Sequence, residues 1–450
     1  MSIWISKETK NMCFSDKRLN RRAEKILEAL SENSAGSIPE ACNTHTETIG
    51  AYRFFDNEKA SSETIMQGFY LATKERMTSQ KEFLFISDST SYVFTDRKTL
   101  TGTGVLRNFK ARGLIMHSTL VVANNVVLGL VNQKSWGRKP EDYGKKIERK
   151  LLPIEQRESF KWIEHMRKAQ EFLSENQHGI YICDREADMI DLFMENRHSN
   201  LDLLIRSSYN RRLTGSRLKL QDLLNNLPVM GSIDISINRA GKRKPRNAIL
   251  ELKFAKVNLF SKKSSTVTIN VIEAREKNAA DELLDSVDWR LFTTMELNSL
   301  EDTIKCVKFY TQRWLIERYH FTLKSGCKIE ELQLESDKRM FSAIAMYCIV
   351  AWRIMAITYF AGHESNKPSK EFFDKHEWEA LYCFYNQTTV PPKTCPSIKQ
   401  AVLMLAKLGG FLGRKGDGEP GMKVLWRGLR RLEGFINAYV LFSKRTERCV

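Results

Sequence analysis

IYICDREADMIDLFMEN, residues 180–196, carries the pattern that decides the fold. Its first four residues are apolar and predict a buried strand, Ile180 to Cys183, which delivers Asp184 at its carboxyl end. The residues from Glu186 to Asn196 predict a helix that follows the strand at once. Strand, acid and helix in succession predict an α/β domain with a carboxylate at the end of a strand.

The same pattern occurs upstream. Phe83 to Ile86 form a compact apolar run that predicts a second buried strand, which ends at Asp88. Two further strands are predicted at 114–123 and 126–133. Asn124-Asn125 between them predicts a hairpin turn, because asparagine tolerates a positive φ better than most residues. The α/β domain therefore opens with antiparallel strands.

The rest of this central region alternates between helical and strand-rich segments. A helix is predicted at about 157–175, and strand-rich sequence at about 201–294 predicts a β insertion. One long helix is predicted from Asn298-Ser299 through Lys324, and an apolar helix at 340–362.

Both ends of the chain are predicted to be helical. Residues 1–70 contain helical patterns at 16–33, 47–56 and 62–78, and SIPE at 37–40 predicts a turn. Residues 363–450 are helical sequence interrupted by Pro391-Pro392 and by the glycine-rich stretch 409–421. A chain of 450 residues is long enough for about three domains. We therefore expect units at 1–70, 71–362 and 363–450.

The charge balance favours a polyanionic partner. The 71 lysines and arginines exceed the 54 aspartates and glutamates and give a formal net charge of +17. Nucleic acid and an anionic membrane surface are both compatible with this charge. The chain does not begin with a secretory signal pattern, and Arg353 lies inside the apolar stretch from Met340 to Gly362, which favours a buried core helix over a membrane span.

The cysteines argue against a zinc knuckle and against a disulfide framework. There are nine, without a CxxC pair and without regular spacing. A reducing, cytoplasmic location is therefore expected.

Two carboxylates at strand ends suit a metal site when a helix supplies a third. Hard cations such as Mg²⁺ or Mn²⁺ prefer oxygen ligands, and a pair of ions can stabilise both the attacking and the leaving oxygen of a phosphoryl transfer. Asp88 and Asp184 are the strand members. The alternative is that each aspartate only caps a turn or helix, which is common after a strand.

The long predicted helix supplies the third acid. Tyr310, Arg313, Glu317 and Lys324 fall at spacings of three, four and seven residues. At about 100° per residue, these spacings place all four in a sector of about 60° on one helical face. The alternative is a solvated ion pair between Arg313 and Glu317, which would contribute only about 0.3–0.5 kcal/mol.

This pattern, Y-x-x-R-x-x-x-E with a lysine seven residues later, resembles the signature of the bacterial cut-and-paste DDE transposases of the insertion-sequence-four family. Three motifs, one around each acid, extend the resemblance: ISDSTSY at 86–92, YICDREAD at 181–188 and YTQRWLIERYH at 310–320. GAYRF at 50–54 resembles the family's DNA-binding module, and LAKLGGF at 405–411 its dimerisation region.

The resemblance implies an RNase H-like catalytic core with a β insertion, flanked by an N-terminal DNA-binding domain and a C-terminal dimerisation domain, both helical. It makes Asp88, Asp184 and Glu317 the catalytic ligands of two Mg²⁺ or Mn²⁺ ions. It also implies that three residues bind phosphates near the scissile bond: Tyr310, Arg313 and Lys324. The sequence departs from the resemblance at Phe321, where a resembling member of the family has a lysine, so the resemblance does not imply a phosphate contact at this position.

Asp188 is a rival to Asp184, but the motif selects Asp184. We expect Glu186 and Asp188 to serve the N-terminus of the following helix.

The implied function is DNA transposition. A homodimer would pair transposon ends in a synaptic complex in the bacterial cytoplasm, in association with the nucleoid. It would cleave the ends, through a DNA hairpin, and join them to target DNA. Two alternatives are an end-binding repressor without catalysis and a stand-alone RNase H-like nuclease.

Further DNA contacts are expected in three places. The segment from Arg206 to Arg246 contains ten lysines or arginines and two aspartates, which favours contact with DNA phosphates. The alternative is a solvated basic loop. In the N-terminal module, arginines cluster on one helix and in GAYRF. The resemblance also points to Trp289 as the residue that stacks on a flipped base, with a core role as the alternative. The candidates are Arg206, Arg211, Lys242, Arg243, Lys244, Arg18, Arg21, Arg22, Arg53 and Trp289.

Overall fold

The structure is a computed structural model. It describes residues 3–94, 100–106, 111–139, 141, 148, 151–215, 217–237, 246–260, 266–277, 286–363, 366–414 and 417–446.

Five helices form the N-terminal module: α1 (Ile3–Thr9), α2 (Lys17–Glu32), α3 (Ile38–Ala41), α4 (His45–Asp56) and α5 (Ser62–Met77). Helix α2 begins as predicted, because the Asp16 side chain accepts a hydrogen bond from the backbone N–H of Arg18. SIPE does not form the simple turn that the sequence predicts. Ser37 and Glu40 instead form a capping box that starts α3.

In the part of the chain that the structure describes, ten strands form one mixed sheet in the order β2-β3-β1-β5-β6-β10-β9-β8-β7, with β4 paired to β3. The strands are β1 (Glu82–Val93), β2 (Gly104–Val105), β3 (Arg112–Ala123), β4 (Val126–Trp136), β5 (His178–Cys183), β6 (Leu201–Arg206), β7 (Gly231–Ile237), β8 (Arg246–Leu259), β9 (Val267–Glu276) and β10 (Asp288–Thr293).

The β3–β4 hairpin has the predicted turn, since Asn124 and Asn125 have φ values of 49° and 63°. The β insertion is present, but it is not separate from the core. Its strands β10, β9, β8 and β7 extend the central sheet outward from β6. They can do so because β10 pairs antiparallel with β6 and supplies the edge that the rest of the insertion continues.

Three helices lie within or beside this region: α6 (Phe160–Gln170), α7 (Ile190–Met194) and α8 (Leu220–Asn226). The helix predicted from Glu186 to Asn196 is shorter than expected. Arg185–Ala187 form a 3₁₀ turn, and α7 begins only at Ile190. Asp184 caps the 3₁₀ turn by accepting from the backbone N–H of Glu186 at 2.8 Å.

The long helix predicted through Lys324 is also interrupted. It begins at the expected place, with a capping box between Ser299 and Asp302, but forms two segments, α9 (Leu300–Thr311) and α10 (Trp314–Phe321). A π-helical turn, Thr322–Gly326, follows α10. Lys324 therefore lies in this turn rather than on a regular helix, and the predicted common face is only approximate.

The apolar stretch at 340–362 forms a core helix, as the sequence predicts. Helix α11 (Asp337–His363) contains a segment, Asp337–Phe360, that is long and apolar enough to cross a membrane. However, 94% of an apolar 18-residue stretch within this segment is buried inside the protein. It packs against the N-terminal helices and against one face of the sheet, where Trp352 Nε1 donates to the Val127 carbonyl at 3.0 Å.

The opposite face of the sheet is covered by α6, whose Trp162 and Met166 are fully buried. The C-terminal region consists of α12 (Lys375–Asn386), α13 (Ile398–Leu408) and α14 (Met422–Thr446). The protein thus has the predicted α/β class, with an RNase H-like core between helical ends. The exact domain boundaries at 70 and 362 stay predictions.

Candidate active site

The register of two strands brings Asp88 and Asp184 together. Strands β1 and β5 pair in parallel, and their last pairing joins Ile86 to Ile182. Asp88 and Asp184 both lie two residues further on. The sequence predicted Asp88 at the end of its strand. It lies instead in the middle of β1, which continues beside β3, where Asp88 pairs with Ser118. Beyond Cys183 the neighbouring strand has ended, so the Asp88 carboxylate has space beside it.

Arg313 connects these acids to Glu317. Its Nη1 donates to Asp88 Oδ2 at 2.9 Å, and its Nη2 donates to Glu317 Oε1. The break between α9 and α10 places Arg313 at the N-cap of α10, from which its guanidinium reaches the end of the sheet. The side chains of Asp88 and Arg313 are only 16% and 19% exposed, whereas that of Glu317 is 57% exposed. The structure therefore brings Asp88, Asp184, Arg313 and Glu317 to one site.

The site holds its carboxylates at an energetic cost. Burial raises the pKa of Asp88 to about 7, repulsion from Asp184 adds to the shift, and Arg313 opposes it. Burial likewise raises the pKa of Asp184. Two partly buried carboxylates with raised pKa values are typical of a functional site.

The donor set fits a hard divalent cation. Carboxylate oxygens are the ligands that Mg²⁺ and Mn²⁺ prefer, and a cation would relieve the repulsion that raises the Asp88 pKa. Within the described ranges, however, no three His, Cys, Asp or Glu side chains come close enough together to hold an ion. Because the Arg313 guanidinium lies between Asp88 and Glu317, it must move before all three acids can share one.

A buried histidine fixes the strand on both sides of Asp88. The hydroxyl of Ser87 lies 3.0 Å from Nε2 of His117, and that of Ser89 lies 2.8 Å from its Nδ1. Burial holds the pKa of His117 well below its usual range, so the ring is neutral and can accept from one hydroxyl while it donates to the other. His117 is a positioning residue that sequence reasoning missed, since a lone histidine in an apolar strand gives no distinctive signal.

Tyr310, Trp289 and Arg206 border the acids. The Tyr310 hydroxyl is buried and, among the described residues, has no hydrogen-bond partner, and burial raises its pKa to about 12. The Trp289 ring packs edge-on against Tyr310, with 5.1 Å between centroids. Arg206 is half-buried beside them, and its Nη2 donates to the Asp288 carbonyl at 3.1 Å.

Lys324 lies in the π-helical turn that follows α10. Its Nζ is 5.5 Å from the centroid of the Tyr92 ring, and burial lowers its pKa. The structure does not bring Lys324 into contact with the three acids.

Asp188 does not serve the N-terminus of the following helix as expected. Its fully buried carboxylate accepts from the backbone N–H of Ser208 at 2.7 Å and from Nε of Arg211 at 3.0 Å. Arg211 is only 15% exposed, so this ion pair gives it a structural role that was missed. The pair holds the loop after β6 against the 3₁₀ turn that follows Asp184.

Lys161 is another cation that sequence reasoning missed. Its Nζ is 3.4 Å from Glu186, and its charge lowers the pKa of Asp184 against the larger effect of burial.

The candidate DNA contacts in the N-terminal module lie mostly at its surface. Arg18, Arg21 and Arg53 are exposed, and Arg22 is partly buried. Arg22 lies across α4 at Gly50, where a Cβ would come within 2.1 Å of Nη1. Glycine in GAYRF therefore makes room for this arginine. Lys242, Arg243 and Lys244 lie outside the residues that the structure describes.

Two family models match the ends of the chain. One, described as transposase DNA-binding, matches residues 1–60. The other, described as the transposase Tn5 dimerisation domain, matches residues 349–446. With the RNase H-like core between these segments, the chain is a DNA-binding and DNA-cleaving transposase that dimerises through its C-terminal region.

More specifically, the two matches support a Tn5-like transposase, and the insertion-sequence-four resemblance of the motifs is consistent with them. Helix α11 is mostly buried inside the protein and is not a clear membrane span.

Proposed function

We propose that this transposase cuts transposon ends and joins them to target DNA by metal-dependent phosphoryl transfer at Asp88, Asp184 and Glu317. The observation that carries the proposal is the β1–β5 register, which sets two largely buried carboxylates side by side. The raised pKa of Asp88 supports it, because a protein gains no stability from such an arrangement without a bound cation.

The three carboxylates would hold Mg²⁺ or Mn²⁺, with two ions proposed. The bound ions would acidify the attacking water or hydroxyl and stabilise charge on the leaving oxygen.

Arg313 has two successive partners in this proposal. In the free protein its guanidinium offsets the charge of Asp88 and Glu317. When DNA enters, the fork of N–H groups can turn to the phosphate next to the scissile bond, since guanidinium matches phosphate geometry as well as it matches carboxylate. The acids are then free for cation binding. The same movement would make the assembly of the site depend on DNA.

Tyr310 is proposed to orient the phosphate and not to attack it. Its hydroxyl is buried beside the acids, and its pKa of about 12 keeps the proton in place at neutral pH. A protonated phenol donates to a phosphate oxygen. The unsatisfied hydroxyl supports this role, because a buried polar group without a partner is costly unless a ligand completes it. Lys324 would bind a phosphate further along the strand.

The reaction is proposed as four successive displacements at phosphorus, each of which forms one P–O bond and breaks another. Water first cleaves one strand at the transposon end and leaves a 3′-hydroxyl. That hydroxyl attacks the opposite strand and forms a hairpin, which a second water opens. The free 3′-hydroxyl then attacks target DNA. In this sequence Trp289, at the border of the site, would stack on a base flipped out at the hairpin.

The remaining contacts would hold the duplex. Recognition of the end sequence is assigned to the N-terminal module through Arg18, Arg21, Arg22 and Arg53, and backbone binding to Arg206 and the basic segment of Lys242, Arg243 and Lys244. Two subunits would pair two ends in a synaptic complex associated with the bacterial nucleoid. The family match of residues 1–60 supports the first assignment.

The test is cleavage of a duplex that carries the element's terminal repeat, with Mg²⁺, by wild type and by Asp184→Asn and Glu317→Gln. Both variants should bind the duplex and leave no 3′-hydroxyl nick, while the exposed-site control Asp234→Asn should cut normally. Cleavage by either acid variant would overturn the proposal. A wild type that binds ends without cutting would be a repressor, and one that cuts hybrids without end preference would be a nuclease.

A further inference from the structure

The first three turns of α14 present a row of cations that the acid site does not use. Residues 421–432, GMKVLWRGLRRL, contain four basic residues and no acid. Lys423, Arg427 and Arg430 are exposed and follow at spacings of four and three. At about 100° per residue they share a sector of about 60°, and the opposite side of the helix buries Leu425 and Leu432. We call these three residues the α14 stripe.

One end of the stripe lies beside the helix that carries Glu317. Nζ of Lys423 is 5.6 Å from the centroid of the Phe321 ring, one helical turn beyond Glu317. The Trp426 ring packs against Phe321 with 6.1 Å between centroids, and Thr322 donates to the sulfur of Met422 at 3.3 Å. These contacts fix the start of α14 against the end of α10. The face of α10 that presents Glu317 therefore leads directly to Lys423.

The other end of the stripe lies next to the N-terminal module. Glu40 accepts hydrogen bonds from Ser37, and these chiefly lower its pKa, but the charges of Arg430 and Lys328 lower it further. Helix α14 also contacts α2 of this module, which places the Arg430 end of the stripe beside the N-terminal helices. The Glu40 carboxylate is bound by the backbone N–H and hydroxyl of Ser37 at 2.8 and 3.1 Å. Among the described side chains, Glu40 is an acid that borders the stripe at this end, and its carboxylate already accepts hydrogen bonds from Ser37.

We propose that the α14 stripe binds the sugar–phosphate backbone of the duplex whose strand occupies the acid site. The inference rests on the proposed function, because it needs DNA at Glu317. The stripe runs from the end of α10 to the module whose family model is a DNA-binding domain, so it connects the two parts of the chain that handle DNA. It adds phosphate contacts from a region whose family match concerns dimerisation alone.

Charge and exposure favour DNA over a protein partner. Among the described residues, none of the three side chains forms a salt bridge within 4.0 Å. Three like charges on one helical face repel one another and gain most from a polyanion. A second copy of this chain carries a net charge of +17 and is a poor match for such a row.

The experiment compares Lys423→Gln/Arg427→Gln/Arg430→Gln with a matched control, Lys370→Gln/Lys393→Gln/Lys399→Gln. The control removes the same charge from exposed positions elsewhere in the C-terminal region. Affinity for an end-bearing duplex is measured from 0.05 to 0.3 M salt, together with dimer formation by sedimentation and Mg²⁺-dependent cleavage by wild type. Removing one phosphate-binding cation lowers the log–log salt slope by about 0.9.

The salt slope of the stripe variant should fall by about 2–3, and the variant should bind at least tenfold more weakly at 0.15 M salt. The slope of the control should fall by less than about 0.5, and both proteins should dimerise like wild type. An unchanged slope, an equal decrease in the control, or a decrease explained by failed dimerisation would each overturn the inference. If wild type binds with the expected slope but does not cut, the proposed function fails instead.

Discussion

Replacing Asp88 with asparagine should stabilise the metal-free, DNA-free protein while it abolishes cleavage. Burial raises the Asp88 pKa from 3.8 to about 7. A shift of one unit corresponds to 1.36 kcal/mol, so the ionised carboxylate costs about 4 kcal/mol above pH 7. Asparagine has nearly the same shape and no charge. The pKa of about 7 already includes the opposing charge of Arg313, so the expected gain at pH 8 is about 4 kcal/mol.

The pH dependence separates this cause from a general packing effect. Because the folded-state pKa is above the unfolded value, the carboxyl contributes stability that is complete below pH 3.8 and is lost as the pH rises through about 7. The asparagine variant does not have this loss. Its advantage over wild type should therefore be about 2 kcal/mol larger at pH 8 than at pH 5.5.

The assay is equilibrium unfolding in urea, followed by circular dichroism in EDTA at both pH values. Asp234→Asn, on an exposed strand face, is the control and should change the unfolding free energy by less than about 0.5 kcal/mol at either pH. An Asp88→Asn protein that is no more stable than wild type at pH 8, or whose gain is the same at both pH values, would refute the reasoning.

Three further predictions concern neighbouring residues. Arg313→Met should lower the cleavage rate at least hundredfold, because it removes the guanidinium that is proposed to turn from Asp88 and Glu317 to the phosphate next to the scissile bond, while end binding in a gel-shift assay stays within about threefold; a variant that cuts normally would contradict this. Asp188→Ala should lower the unfolding free energy by about 3–5 kcal/mol, because it leaves Arg211 buried and unpaired, whereas the control Asp234→Asn on an exposed strand face should change it by less than about 0.5 kcal/mol. His320→Leu should lose less stability in acid than wild type does. Burial lowers the His320 pKa to about 3, so the neutral ring contributes to the unfolding free energy above pH 6.5, and this contribution is lost as the pH falls. That loss is about 2 kcal/mol by pH 5 in urea unfolding, and an unchanged acid slope in the variant would speak against it.

The elements around the two aspartates could be read from sequence because local patterns determine them. Apolar runs predict β1 and β5, and Asn124-Asn125 predicts the hairpin that joins β3 to β4. The sequence patterns did not predict the parallel pairing of β1 with β5 that sets Asp88 beside Asp184. A strand pattern says where a side chain lies along its strand and not which strand is its neighbour.

The contacts that sequence could not supply are those between distant segments. Arg313 and Asp88, which form an ion pair, are 225 positions apart in the sequence. The pair forms because the helix breaks after Thr311, and no glycine or proline near this position predicts the break. The pair of Asp188 with Arg211 forms because a loop folds back onto the 3₁₀ turn. The strand-rich sequence predicted the β insertion but not that its strands extend the central sheet, since hydrogen bonding at the edge of β6 depends on the whole topology.

The central claim, that Asp88, Asp184 and Glu317 together bind the catalytic cation, is tested most directly by iron-directed cleavage of the polypeptide. Fe²⁺ replaces Mg²⁺ on the protein bound to its end duplex, and ascorbate then generates hydroxyl radicals where the ion sits. Backbone cuts are expected near residues 88, 184 and 317, and they should disappear in Asp88→Asn and Asp184→Asn. Cuts elsewhere in the chain, or cuts at these positions that persist in both variants, would contradict it.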